Sequence, residues 1–294
     1  MNLVCELPLR GAGGEPISFE RTVYSHGCAA LPPATLESSP LVYRRGFLAG
    51  TRVVEVAMRE RGGKLVAETP AKLSTRAAAR IAVEIATMFR LDEDLTPFYA
   101  SIAGDELLGW AAHGAGRILA SPTVFEDVVK TICTTNCAWS ATVRMTRALS
   151  ELGAGAFPGP ELMAAAPESW YRDEARAGYR GEYLRSIASD VVGGSLDLES
   201  LRSFERFGDD EVEERLLELP GIGPYGTAHV MQLLGRHRRL VLDSWTRPKY
   251  LKVSGKRRAA DSTIERAFAR YGKYAGLAFW LYLTRDWIEE GAVK

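Results

Sequence analysis

The chain has 294 residues, 46% of them hydrophobic, with 37 basic side chains balancing 37 acidic ones. That length suits one to three domains with packed cores, and a net charge of zero argues against a protein that grips a polyanion over its whole surface. The longest apolar run, residues 276–283, is far short of the ~20 residues a membrane span needs.

The N-terminus shows no charged segment followed by an apolar one, so no secretory signal is expected. Segments 2–9, 16–24, 41–49, 51–59 and 64–68 read as strands, with turns at Gly11–Gly14, Pro32–Pro33 and Gly62–Gly63. From Ser74 the period changes. Ser74 to Phe89 is Ala-rich with a Ser/Thr start, the pattern of a capped helix. Helices follow to the end, broken by loops near 153–160, 193–194 and 255. The fold class is therefore α+β, with a β-rich part over 1–95 and a helical part over 96–294.

Four cysteines, at 5, 28, 133 and 137, make no disulfide framework, which suits a reducing cytoplasm. Cys133 and Cys137 are four apart and can share a helix face. A metal site needs more ligands than that, and no His or Cys pair is evident to supply them, so core packing is the expectation.

An acidic helix follows, with Val212, Leu216 and Leu217 on one stripe. It runs into the turn Leu219-Pro220-Gly221-Ile222-Gly223. A second helix starts near Pro224 and carries Ala228, Met231 and Leu234 at helical spacing. The turn's glycines let successive N–H groups point one way, and the second helix adds the positive end of its dipole, so the hairpin can hold a phosphate. A plain helix-turn-helix corner would share that pattern.

Twenty residues past Gly223 stands Asp243, after the short apolar run Leu240–Leu242 and at the start of a further helix. Its residue type and place also suit an N-cap, with Ser244 as a second candidate. Between positions 236 and 258 lie Arg236, Arg238, Arg239, Arg247, Lys249, Lys252, Lys256, Arg257 and Arg258, and Asp243 is the one acid among them. Such a stretch fits a phosphate-binding face or an ordinary solvated surface. A phosphate-holding hairpin beside a carboxylate able to stabilise a sugar cation suggests an enzyme that removes a base from DNA.

Leu219 to Leu234 followed by Val241-Leu242-Asp243-Ser244-Trp245 resembles the helix-hairpin-helix DNA glycosylase superfamily. Three further segments agree. Phe125-Glu126 with Ile132 to Asn136 is similar to that family's helix and loop facing the lesion. Gly178-Tyr179-Arg180 with Tyr183 resembles a segment of 8-oxoguanine DNA glycosylases. Tyr274 to Trp280 resembles the closing helix of bacterial 3-methyladenine DNA glycosylase II. The resemblance covers about residues 95–294 well and the first ninety weakly.

The resemblance implies a small antiparallel sheet preceding two helical lobes with the active site between them, acting on double-stranded DNA as a monomer in the cytoplasm, at the bacterial nucleoid. Asp243 would be the catalytic carboxylate. Pro220, Gly221, Ile222 and Gly223 would contact DNA phosphate, joined by Arg247 and Lys249. Asn136 on one side and Tyr179 with Arg180 on the other would fill the space left by the flipped base. Tyr225, His229, Trp280 and Trp245 would wall the base pocket. Core packing accounts for the same aromatics.

Bifunctional members carry Lys two residues after the hairpin's last glycine. Tyr225 stands there, and a phenol forms no Schiff base, so a monofunctional enzyme releasing an alkylated purine is expected. No cofactor is required. A main-chain monovalent cation, Na+ or K+, is implied at the carbonyls of Leu217, Leu219 and Ile222. The iron–sulfur cluster of some members needs C-terminal cysteines, and none follows Cys137. The alternatives are an 8-oxoguanine-type enzyme, to which Asn136 and Gly178-Tyr179-Arg180 point, and a non-catalytic structure-specific DNA clamp.

Overall fold

The computed structural model of the chain describes residues 1–287. Five strands, β1 (Asn2–Pro8), β2 (Ala34–Ser38), β3 (Leu41–Ala49), β4 (Arg52–Arg61) and β5 (Lys64–Thr69), form an antiparallel sheet in the order β1-β5-β4-β3-β2. Gly62 and Gly63, at φ 61° and 72°, close the β4–β5 hairpin; two successive positive φ values belong to the turn whose twist matches paired strands.

Two sequence readings are corrected here. Segment 16–24 is not a strand. Ser18 accepts the amide of Arg21 and starts the short helix α1 (Phe19–Val23), which buries Phe19, Thr22 and Val23. The i, i+3, i+4 spacing outweighs the apparent alternation. The strand β2 went unread. It follows Pro32–Pro33 and pairs with β3, Leu36 opposite Tyr43.

Helix α2 (Thr75–Met88) is capped by Ser74, which accepts from Ala77, as expected from its start signal. Its Ile81, Ile85 and Met88 pack on Val56, Met58, Leu65 and Ala67 of the sheet. Then come α3 (Thr96–Ser101), α4 (Val124–Thr134), α5 (Trp139–Leu152), α6 (Pro160–Ala165), α7 (Arg180–Val192), α8 (Asp209–Leu217), α9 (Pro224–Leu233), α10 (Thr246–Ser254), α11 (Asp261–Phe268) and α12 (Ala275–Thr284). No helix among the described residues is long and apolar enough to cross a membrane.

The helices bury two cores. One gathers α4 to α9 around Val128, Ile132, Leu184, Val212, Leu216 and Val230. The other joins α3 to α10, α11 and α12 around Phe98, Tyr250, Phe268 and Phe279. Helix α9 contributes to both, through Val230 to the first and Leu233 to the second.

Buried ion pairs fasten the sheet to the helices. Arg45 of β3 grips Glu126 of α4 with two bonds at 2.9 and 2.5 Å, and Lys130 reaches the same carboxylate at 2.8 Å. Burial opposes ionisation of Glu126, but the two cations outweigh it and bring its pKa to about 2. Glu15 meets the fully buried Arg117, while Glu93 binds Arg90 at 2.9 Å and His237 at 2.7 Å. A buried pair of this kind fixes where two elements meet, since losing one partner strands the other charge.

Candidate active site

The turn between α8 and α9 is built on one residue that must be glycine. Gly221 has φ +83°, and a Cβ there would come within 2.7 Å of the Tyr183 ring. Gly223 differs: its φ is −110°, open to any residue, and a Cβ would meet nothing within 4 Å. Gly223 therefore keeps a space clear outside the protein. Pro224 takes the first position of α9, and Thr227 is the first amide to bond back, to the Gly223 carbonyl at 2.9 Å. The amides of Tyr225 and Gly226 are left at the positive end of the helix without an intrahelical acceptor.

Asp243 sits in the loop before α10. Its Oδ1 accepts the amides of Trp245 at 2.8 Å and Thr246 at 2.6 Å, and its own amide donates to the Thr246 hydroxyl at 2.8 Å. The capping role weighed from sequence is real, and it leaves Oδ2 without a hydrogen bond among the described residues.

A cleft of about 560 Å³ brings these parts together. It is lined by Thr134, Asn136, Gly221, Gly223, Tyr225, Asp243 and Arg247, among others. Asn136 is exposed at φ 46°, a conformation that Asn tolerates better than most residues. Tyr225 lines the same cleft as Asp243, its hydroxyl 3.4 Å from that of Thr134. Burial, then Cys28 and to a smaller extent Asp243, pushes its phenol up to about 12.

Other sequence candidates lie elsewhere. His229 is buried behind Tyr225, the two rings parallel within 12° at 6.1 Å between centroids. Trp280 is buried beside Trp245 and Trp287, and its Nε1 donates to the Ser25 carbonyl at 2.7 Å. Trp245 is 40% exposed. Tyr179 is exposed against Tyr183. Arg180 is buried and donates to the carbonyl of Thr135, so it holds the Asn136 loop from beneath. Cys133 is buried, and the Cys137 thiol donates to its carbonyl at 3.3 Å.

The basic stretch is corrected as a free phosphate-binding face. Arg236, Arg238 and Arg239 are bonded to Asp209, Asp210 and Glu213 of the acidic helix α8 at 2.7, 3.0 and 2.6 Å. Arg247 forks onto Asp261 with two bonds of 2.8 Å, although it still lines the cleft. Lys249 reaches Asp286 at 2.5 Å. Lys252, Arg257 and Arg258 make no ion pair among the described residues. Sequence reading placed Arg180 against the DNA, whereas it supports the loop through Thr135, and it missed Thr134 and Thr246. The Asp243-x-x-Thr246 spacing was a capping signal that could have revealed the last.

The chain has the fold of the helix-hairpin-helix DNA glycosylases. A 3-methyladenine DNA glycosylase from Archaeoglobus fulgidus matches with TM-score 0.69 and 21% identity, over 95% of this chain and 98% of that one. An 8-oxoguanine glycosylase/lyase from Clostridium acetobutylicum, in its apo form, matches with TM-score 0.68 and 21% identity, over 92% of this chain and 94% of that one. In sequence, a probable N-glycosylase/DNA lyase of Methanothermobacter thermautotrophicus is 25% identical over 227 residues, 65% of this chain and 70% of that protein. No family model matches the chain.

Proposed function

We propose that the protein is a monofunctional DNA glycosylase that flips an alkylated purine, of the 3-methyladenine kind, out of double-stranded DNA and hydrolyses its N-glycosidic bond. The observation that carries this reading is the placement of a fixed carboxylate, Asp243, in one cleft with the amide-bearing end of α9. The hairpin and the first-turn amides take the DNA phosphate beside the lesion without regard to sequence. Base departure leaves positive charge on the deoxyribose, and the Asp243 carboxylate stabilises it. Water attacks the sugar, and its proton passes to Asp243 or to solvent.

Tyr225 offers an electron-rich ring on the wall of that cleft, and such faces favour cationic bases. The cleft lining contains no lysine. A monovalent cation would be held by the carbonyls of Leu217, Leu219 and Ile222. Leu217 ends α8, where carbonyls lack intrahelical partners. Leu219 accepts from Ile222 N–H at 3.1 Å and keeps a second lone pair. Such an ion would add positive charge at the phosphate position.

A second reading, an oxidised-base enzyme, is favoured by the 8-oxoguanine glycosylase among the fold relatives and by the Gly178-Tyr179-Arg180 segment. A panel of duplexes bearing one lesion each, treated with alkali after incubation, separates the two. Abasic sites in duplexes bearing 3-methyladenine or 7-methylguanine support the first reading, and abasic sites confined to 8-oxoguanine duplexes support the second. A protein that binds these duplexes and leaves no abasic site in any of them supports the non-catalytic DNA clamp instead.

A further inference from the structure

We propose that His26, Cys28 and His229 form a binding site for a borderline-soft divalent metal ion of the zinc class, behind the Tyr225 wall of the cleft. A ring nitrogen from each histidine and the Cys28 sulfur all lie within 4.8 Å of one another. Both histidines are 5% exposed. The two rings meet edge-on, 5.6 Å apart.

The hydrogen bonding on these rings is unfinished. His26 Nε2 lies 2.7 Å from the Leu119 carbonyl, which can only accept, so Nε2 carries the proton and Nδ1 presents a lone pair. That Nδ1 has no partner, and neither has Nε2 of His229. Buried polar atoms without partners are uncommon and call for an occupant. A metal-bound histidine whose other nitrogen donates to a backbone carbonyl is the usual orienting arrangement.

The space fits one small ion. The cavity lined by these residues holds about 10 Å³, roughly one water or ion. Zinc bonds of about 2.0 Å to nitrogen and 2.3 Å to sulfur put tetrahedral ligands roughly 3.5 Å apart, so modest side-chain rotation closes the site. Two imidazoles and a thiolate select zinc-class ions over magnesium or calcium. Coordination takes both imidazoles in the neutral form. The Cys28 thiol, only partly buried, gives its proton to solvent as sulfur takes the metal. Asp127, Lys130 and Arg45 also line the cavity, and the two cations are bonded to the Glu126 carboxylate. Because His229 backs Tyr225, the ion would brace the cleft wall against segment 26–28. This cluster is distinct from the Cys133 and Cys137 pair weighed from sequence, and His229 joins it from far along the chain.

The test is direct metal binding to the full chain after chelator treatment, with cobalt(II) as the optical probe and zinc retention by elemental analysis. The expected result is a thiolate-to-cobalt charge-transfer band saturating at a single ion per chain. Cys28→Ser should abolish it and weaken zinc binding by about a hundredfold or more, beyond what losing an orienting partner costs; His229→Gln should weaken it also, while Cys137→Ser leaves it intact. Zinc should further slow alkylation of Cys28 in the wild-type protein, a readout that survives misfolding of any variant. Absence of a band and of retained zinc, a band that persists in Cys28→Ser, or alkylation of Cys28 indifferent to zinc would each overturn the site.

Discussion

Asp243 and Thr246 hold each other. The carboxylate accepts the Thr246 amide at 2.6 Å while the Thr246 hydroxyl accepts the Asp243 amide at 2.8 Å. Thr246 is fully buried, so this lock sets where the carboxylate stands. Thr246→Val keeps the volume and removes the acceptor. It should cost about 1 kcal/mol in denaturant unfolding, the range for a lost hydrogen bond, and slow base release. Thr246→Ser should restore both, and an unchanged release rate in Thr246→Val would show that the lock does not serve the chemistry.

The two hairpin glycines should separate folding from binding. Gly221→Ala puts a Cβ on a left-handed residue and against Tyr183, at a cost of about 1–2 kcal/mol for the backbone alone. Gly223→Ala meets open space at an ordinary φ, so its melting temperature should stay near wild type. Its affinity should fall for every DNA sequence alike, because phosphate contacts carry no sequence information. A Gly223→Ala protein that binds as well as wild type would remove the hairpin from the interface.

These residues also show how far the chain could be read before folding. Leu219 to Gly223, the Pro224 start of α9 and the Ser74 start of α2 were legible because turn and cap chemistry is local. Asp243 was legible by its distance from the hairpin. The basic stretch misled because its partners, Asp209, Asp210 and Glu213, are contributed by an earlier helix, and pairing across that gap leaves no local trace. Trp280 reads as a candidate pocket wall, but its indole nitrogen is committed to Ser25, 255 residues away. Strand β2 was hidden because an edge strand pairs on one side only and needs little pattern of its own.

Strand cleavage offers a further test. Tyr225 makes no imine, and Lys249 is tied to Asp286 at 2.5 Å. Borohydride should therefore trap no covalent adduct, and the product should be an intact strand with an abasic site that breaks only in alkali. An adduct that disappears in Lys249→Ala would mean that the amine leaves Asp286 to attack the sugar, and the activity would shift to the lyase class.

Acid stability should depend on the buried imidazoles. Burial lowers the pKa of His26 to about 4 and of His229 to about 3, from an ordinary 6.5. The unfolded chain takes up protons that the native one refuses, so their contribution is whole above pH 6.5 and is lost as pH falls towards these values. Asp127 works in the opposite sense. Burial raises its carboxyl to about 6, so the stability it supplies is present at low pH and lost as pH rises through 6. Replacing His229 by Gln isolates one imidazole. With chelator present, Tm should fall less steeply between pH 6.5 and 4 in His229→Gln than in wild type, and parallel curves would contradict the burial argument.

Single-turnover release of alkylated purine from duplex DNA, wild type against Asp243→Asn, tests the central claim most directly. Asparagine keeps the size and the Oδ1 acceptor that caps α10, so folding and DNA affinity should be preserved. Removing the charge should slow release by on the order of a hundredfold or more. Release by Asp243→Asn at the wild-type rate, with the protein folded and DNA bound, would contradict the assignment of Asp243 as the group that stabilises the departing sugar.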